Sequence, residues 1–202
     1  MAGIVGANGA GKSTLLNILC GLLEPTSGTA VINNIPIGTP AAGALLGCVP
    51  EIPELVEAAT GLRFLQHVGI MRGLSASEAK SQAKEIAQIV DLPRGTKPIS
   101  AYSTGNRKRT AIGAAMMAST RAQILDEPLE AIDPLAAERI TKRWHNYCND
   151  GGIILCSSHD IRFVADECSH VIVMAHGKIA AALSAAENFT YTDILRILHE
   201  SA

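Results

Sequence analysis

Residues 6–13 read GANGAGKS, and no other stretch restricts the possible folds of this chain so strongly. Gly6, Gly9 and Gly11 let the backbone curl so that successive N–H groups point inward at an oxygen anion. A strand has to lead into such a loop and a helix has to follow at once, adding the positive end of its dipole. Here the leading strand is short, Gly3, Ile4 and Val5, and the helix runs from Lys12 to Cys20 with Gly21 as its stop. Lys12 offers a point charge to phosphate oxygens, and Ser13 a hydroxyl suited to Mg²⁺. The pattern predicts a strand–loop–helix unit opening an α/β domain.

The rest of the chain alternates in the same manner. GTAVINNIPI reads as strand, Asn33-Asn34 turn and strand, and GALLGCVP as a buried strand ending at Pro50. Two helical stretches follow, the second with a Ser75–Glu78 capping box and Ile86, Ile89 and Val90 on one face. TRAQILDEP is a central strand ending in acids, followed by a helix with Pro134 in its first turn. GIILCSSH is a further strand, HVIVMAHGKIAAAL a strand–turn–strand, and YTDILRILHE a closing helix. Strands alternating with helices indicate a layered α/β fold with a mostly parallel sheet. The helical block over residues 56–120 is expected as an insert in a core made of residues 1–55 and 121–202.

Two further clusters carry chemistry. Asp126 and Glu127 stand at the end of a strand, where neighbouring side chains point to opposite faces. Asp126 is then the metal holder beside the loop, and Glu127 reaches past it toward an attacking water. His159 lies at the polar end of another core strand, whereas His67, His145, His170, His176 and His199 read as structural or solvated. In YSTGNRKR, Ser103 and Gly105 place a hydroxyl and free N–H groups at a helix start, while Arg107, Lys108 and Arg109 run against that helix's dipole. A phosphate opposite this tip would offset the conflict.

Composition removes other classes. Hydrophobic residues make up 48% and charged ones 18% of the 202 residues, enough for a packed core. The formal charge of −2 gives no bulk attraction for nucleic acid. Five cysteines without metal-ligand spacing read as buried thiols in a reducing cytosol. No apolar run reaches the roughly 18 residues of a membrane span, and the start has no leader pattern, so a membrane role would be peripheral.

Taken in order, these motifs resemble the nucleotide-binding subunit of ATP-binding cassette (ABC) transporters, from the first residues to about Leu198. GANGAGKST, with Asn8, Gly9, Ala10, Gly11, Lys12, Ser13 and Thr14, resembles the phosphate loop. VPEIP resembles the Q-loop, with Glu51 where glutamine is usual. YSTGNRKR resembles the signature, with Tyr102, Thr104 and Asn106 as departures. LDEP resembles the second nucleotide motif, EAIDP the D-loop with Asp133, and SSHD the switch loop with His159. The resemblance implies a P-loop NTPase core with an inserted helical signature subdomain. It also implies ATP and Mg²⁺ as ligands, a Mg²⁺ site of Ser13 and Asp126, and catalysis by Glu127 and His159. A second cassette would supply Ser103, Thr104, Gly105 and Asn106 to the nucleotide in trans. A separate membrane permease would be the other partner, on the cytoplasmic face, with export as the expected direction and no nucleic-acid partner.

The family also carries an upstream hairpin whose aromatic residue stacks on adenine, and no aromatic precedes Gly6. Stacking is worth about 1–3 kcal/mol, so weaker nucleotide affinity and relaxed base preference are expected. A shortened or mis-started coding region is the first explanation, a naturally degenerate cassette the second. The alternative function is therefore a truncated nucleotide-binding module with little or no turnover.

Overall fold

The computed structural model describes residues 1–118 and 120–201. Strand β1 (Ala2–Gly6) enters the glycine loop and helix α1 (Lys12–Leu19) leaves it. β2 (Val31–Ile32) and β3 (Ile35–Pro36) form a small antiparallel ribbon. Asn33 and Asn34 turn it with φ of 49° and 62°, left-handed values that asparagine tolerates. Then come α2 (Pro40–Leu45), β4 (Leu46–Val49), α3 (Gly61–Met71), α4 (Ala76–Ile89) and α5 (Thr104–Met116). β5 (Ala122–Leu125), α6 (Pro134–Asn149), β6 (Ile153–Ser157) and α7 (Ile161–Glu167) follow. β7 (His170–Ala175), β8 (Lys178–Ser184) and α8 (Tyr191–Glu200) complete the described chain.

Six strands make one sheet in the order β4-β5-β6-β1-β7-β8, parallel except for β8, which pairs antiparallel with β7. In the register of its central strands, Leu125 lies beside Cys156, and Ile4 beside Ser157. The carboxyl ends of β1, β5 and β6 therefore come out side by side, which is where open α/β sheets build their sites.

Two apolar layers hold the sheet. Ile4, Leu16, Leu46, Ile124 and Met174 pack between sheet and α1. The larger cluster joins Val5, Leu125 and Ile154 of the strands to Leu65, Ile86 and Ile112 of α3–α5 and to Ile140 and Trp144 of α6. The helices between β4 and β5 thus bury apolar residues in the same layer as the strands.

Two elements differ from what the sequence predicts. GALL begins in helix rather than strand: Thr39 caps α2, its hydroxyl accepting from Ala42 N–H, and Pro40 opens the first turn. α7, capped by Asp160 through Arg162 and Phe163 N–H, has no counterpart in the sequence pattern. All five cysteines are free; Cys156 and Cys168 are buried, and Cys20, Cys48 and Cys148 only partly so. Among the described residues no helix is long and apolar enough to cross a membrane.

Two glycines make a matched test of the packing. A Cβ on Gly47 would overlap the Ala115 carbonyl oxygen, a backbone atom with nowhere to move, whereas one on Gly43, in α2, meets nothing within 4 Å. Gly47→Val is expected to cost about 2–3 kcal/mol, read as a lower urea midpoint. Gly43→Ala is expected to be neutral or stabilising by up to about 1 kcal/mol.

Candidate active site

The loop after β1 is built as its composition demands, with one refinement. Gly9 and Gly11 take φ of 81° and 98°, the left-handed conformations that need glycine. Gly6 does not; it is required because a side chain there would run into the Met174 carbonyl of the neighbouring strand. α1 starts at Gly11 with no side chain capping its first turn, while α2 to α8 each carry a Ser, Thr or Asp cap. The first-turn N–H groups of α1 are left for an anion. Lys12 is 7% exposed, and its ammonium donates to the Gly6 carbonyl at 2.8 Å and to that of Ala7 at 3.3 Å. The charge is thereby held over the mouth of the loop.

The acid pair sits beside it. β5 ends at Leu125, and the Asp126 N–H donates to the Val49 carbonyl at 2.8 Å. Glu127 then takes φ of 44°, an uncommon conformation for a non-glycine residue. Strand alternation therefore does not set the two carboxylates apart as expected; the left-handed turn at Glu127 does. Ser157, fully buried, fixes both residues: its hydroxyl donates to Asp126 Oδ1 at 2.5 Å and accepts from the Glu127 N–H at 2.9 Å. Glu127 Oε2 accepts from the His159 N–H at 3.2 Å. The His159 Nε2 lies 3.3 Å from Glu127 Oε1, within ion-pair range. It is not aligned as a hydrogen bond, so among the described residues Oε1 remains a buried acceptor without a hydrogen-bond partner. Burial pushes the Glu127 carboxyl above the ordinary glutamate value of 4.5, against the opposing pull of His159 and Lys12. That is the direction a general base needs.

These groups share one cleft of about 630 Å³, lined by Asn8, Gly9, Ala10, Gly11, Lys12, Ser13, Thr14, Glu51, Asp126, Glu127, Glu130 and His159. The volume lies within the range of ligand pockets, about 300–1,000 Å³. Asp126, 3% exposed, and the Ser13 hydroxyl form a hard-oxygen donor pair. This fits Mg²⁺, which takes one or two protein oxygens and completes its octahedron with phosphate and water. Among the described residues no cluster of three acidic, His or Cys ligands exists that could form an all-protein metal cage.

Ser103, Thr104, Gly105, Asn106 and Asp133 are not among the residues lining that cleft. The Ser103 hydroxyl caps α5 by accepting from the Asn106 N–H at 3.3 Å, which leaves its hydrogen free to donate. Gly105, inside the first turn, lacks a Cβ because one would strike the Ala131 carbonyl of the loop before α6. Asp133 caps α6, accepting from Ala136 N–H at 2.9 Å, and this bond together with Arg109 lowers its pKa.

The basic triplet behaves differently from the expectation. No external phosphate is needed to balance it, because each cation has an internal partner. Arg107 forks onto Glu57, its two nitrogens at 2.6 and 2.9 Å from the carboxylate oxygens. Arg109 bridges Asp91 at 3.0 Å and Asp133 at 3.4 Å and bonds the Asn106 side chain. Lys108, 3% exposed, donates to the Glu51 carbonyl at 2.6 Å and that of Asp126 at 3.3 Å. Sequence reasoning alone misses Lys108 and Ser157 as supports of the site. The first looks like part of a solvated run. For the second, the missing information is the register of β5 against β6.

A P-loop cassette domain is the class that this fold and cleft define. The chain belongs to the ABC transporter family, whose model matches residues 1–130. It is 32% identical over 182 residues to the linearmycin resistance ATP-binding protein LnrL of Bacillus subtilis, covering 89% of this chain and 58% of that protein. It is 33% identical to the energy-coupling factor transporter ATP-binding protein EcfA2 of Ligilactobacillus salivarius, covering 97% of this chain and 72% of that one. Among solved structures, the dimeric post-hydrolysis state of the ATP-binding cassette MJ0796 bound to ADP and Pi superposes with a TM-score of 0.82 at 25% identity. That match covers 91% of this chain and 84% of the other. The chain spans 53–59% of the length of the first three curated relatives it matches.

Ser157→Ala removes two buried hydrogen bonds and leaves the Glu127 N–H without its acceptor. It is expected to lower unfolding stability by about 1–3 kcal/mol, measured by chemical denaturation, with no change in helix content.

Proposed function

We propose that this chain binds and hydrolyses ATP and that the hydrolysis drives transport through a separate membrane permease, with export as the direction. The observation that carries the reading is the convergence of Lys12, Ser13, Asp126, Glu127 and His159 on a single cleft. The uncapped α1 N-terminus and Lys12 bind the β- and γ-phosphates. Glu127, ionised and held by Ser157 and His159 N–H, accepts a proton from the attacking water as that water adds to the γ-phosphorus and the bond from that phosphorus to the β–γ bridging oxygen breaks, ADP leaving with the electron pair. His159, beside Glu127, orients the carboxylate and the γ-phosphate. Mg²⁺ held by Ser13 and Asp126 would neutralise charge on the phosphate oxygens.

Ser103, Thr104, Gly105 and Asn106 act on the nucleotide of a second cassette, joined head to tail, with Asp133 at the same junction. The dimeric solved cassette supports the pairing of two cassettes. Glu51 couples the site to the permease, at the cytoplasmic face of the membrane. The resistance role in the name of LnrL is in keeping with export.

Glu127→Gln is expected to lower turnover by about 10²–10⁴-fold while MgATP binding persists. An ATPase assay beside a binding titration checks both. Undiminished turnover would refute the assigned base. The sign of the pH effect follows from burial. The base works only when ionised, so activity should fall as pH drops through a value above the ordinary 4.5 of glutamate, not at it. Lys12→Ala is expected to weaken nucleotide binding by about a hundredfold, measured calorimetrically. A truncated module without turnover would instead bind nucleotide normally and show the same negligible hydrolysis before and after the Glu127→Gln change.

A further inference from the structure

Helix α1 begins at the phosphate loop and ends at a cysteine. Cys20 closes its last turn, the N–H donating to the Leu16 carbonyl at 2.9 Å, and Gly21 turns the chain away with φ of 73°. Cys48 stands on β4, the strand at one edge of the sheet, and lies beside Ile124 of β5 in register. Ile124 belongs to the apolar layer between the sheet and α1, and Cys20 and Cys48 both pack against that layer. The two thiols meet where the end of α1 reaches the sheet edge, and their sulfurs share a hydrogen bond.

The surroundings of Cys48 suit a reactive thiol. Both cysteines are only partly buried, and Cys48 lines a surface groove of about 450 Å³ together with Leu22, Ile52 and Phe64. Arg72, which ends α3, lies close enough to act on Cys48 through its charge. Its guanidinium donates to the carbonyls of Met117, Ala114 and Leu46 at 2.8, 2.9 and 3.0 Å. Among the described residues it forms no ion pair with a carboxylate, so its charge is left for a thiolate. The hydrogen bond from Cys20 lowers the Cys48 pKa, burial opposes it, and Arg72 lowers it further. The same hydrogen bond, with burial, raises Cys20. Cys48 is therefore the thiolate-forming member of the pair, and Cys20 keeps its proton. Cys156 and Cys168 are a second pair of neighbouring thiols, but at 0% and 6% exposed they are sealed in the larger apolar cluster.

We propose that Cys20 and Cys48 form a reversible oxidation site for hydrogen peroxide, closing to a disulfide between the end of α1 and β4. The Cys48 thiolate attacks one oxygen of the peroxide and the O–O bond breaks. Hydroxide leaves with the electron pair and takes up a proton to become water, and Cys48 becomes a sulfenic acid. The Cys20 sulfur then attacks the Cys48 sulfur, the S–O bond breaks, and a second water leaves with the Cys20 proton. The two thiols give up two electrons and the peroxide accepts them. A dithiol reductant restores both thiols by exchange. The bridge pins the far end of the phosphate-loop helix to the strand that leads to Glu51.

The folded full chain, without nucleotide, is treated with equimolar hydrogen peroxide. Remaining thiols are then alkylated in urea, and chymotryptic peptides are mapped by mass without reduction. Two of the five thiols are expected to be lost, with a Cys20–Cys48 linked peptide that dithiothreitol removes. Cys20→Ser should abolish the bridge and leave Cys48 as a sulfenic acid that dimedone captures. Cys48→Ser should slow peroxide consumption at least about tenfold, with no sulfenic acid on Cys20. The bridge itself is read on the unaltered chain, so it does not depend on how the variants fold. Five alkylated thiols after peroxide would overturn the proposal. So would a disulfide joining any other pair, Cys156 and Cys168 included, or a lasting sulfenic acid on Cys48 of the unaltered chain.

Discussion

Four buried charges at the end of β5 set the terms for everything around them. Asp126 and Glu127 are 3% and 9% exposed; Lys12 and Lys108 are 7% and 3% exposed. Taking any one of these out of water alone is prohibitive, and their mutual proximity, with hydrogen bonds from both ammonium groups and to Asp126, makes the set tolerable even though Glu127 Oε1 lacks a hydrogen-bond partner among the described residues. Lys108 shows the balance. Burial lowers its pKa, while Glu130, Asp126, Glu51 and Glu127 pull the other way. Because its ammonium is bonded to the carbonyls of Glu51 and Asp126, it also ties α5 to the loop after β4 and to the end of β5. The helix that carries Ser103 is therefore fixed to the same electrostatic knot that holds the acid pair.

This arrangement is in keeping with the proposed division of the site between two copies. One cleft holds the phosphate loop, the acids and His159, yet the tip of α5 does not line it. The cations behind that tip are spent on Glu57, Asp91, Asp133 and two carbonyls. What the tip still offers is a hydroxyl hydrogen on Ser103 and the first-turn N–H groups, which suit an anion that this copy's own cleft does not bring to it. Gly105 and Arg109, each contacting the loop before α6, set the tip and that loop as one rigid surface.

Much of this is legible in the sequence, and the failures have physical causes. The phosphate loop, the acid-ended strand, the capping box at Ser75 and the Asn-Asn ribbon turn are local signals, and local signals survive folding. α2 reads as strand because Ala-Leu-Leu before a strand looks like more strand; the Thr39-Pro40 start is the better cue. Arg107, Lys108 and Arg109 read as one basic run, but their partners come from three distant segments, so no spacing rule could separate their fates. Ser157 and the left-handed Glu127 depend on the register between β5 and β6.

In the proposed mechanism the cleft is half of a site, completed by the α5 tip of another copy. Ser103→Asp tests it most directly, since aspartate caps a helix as well as serine but sets a negative charge against any phosphate brought to that tip. The expected result is an intact fold, nucleotide binding to the isolated copy unchanged, and ATP hydrolysis lost, with activity returning when this variant is mixed with Lys12→Ala, itself inactive. Full hydrolysis by Ser103→Asp alone would contradict it.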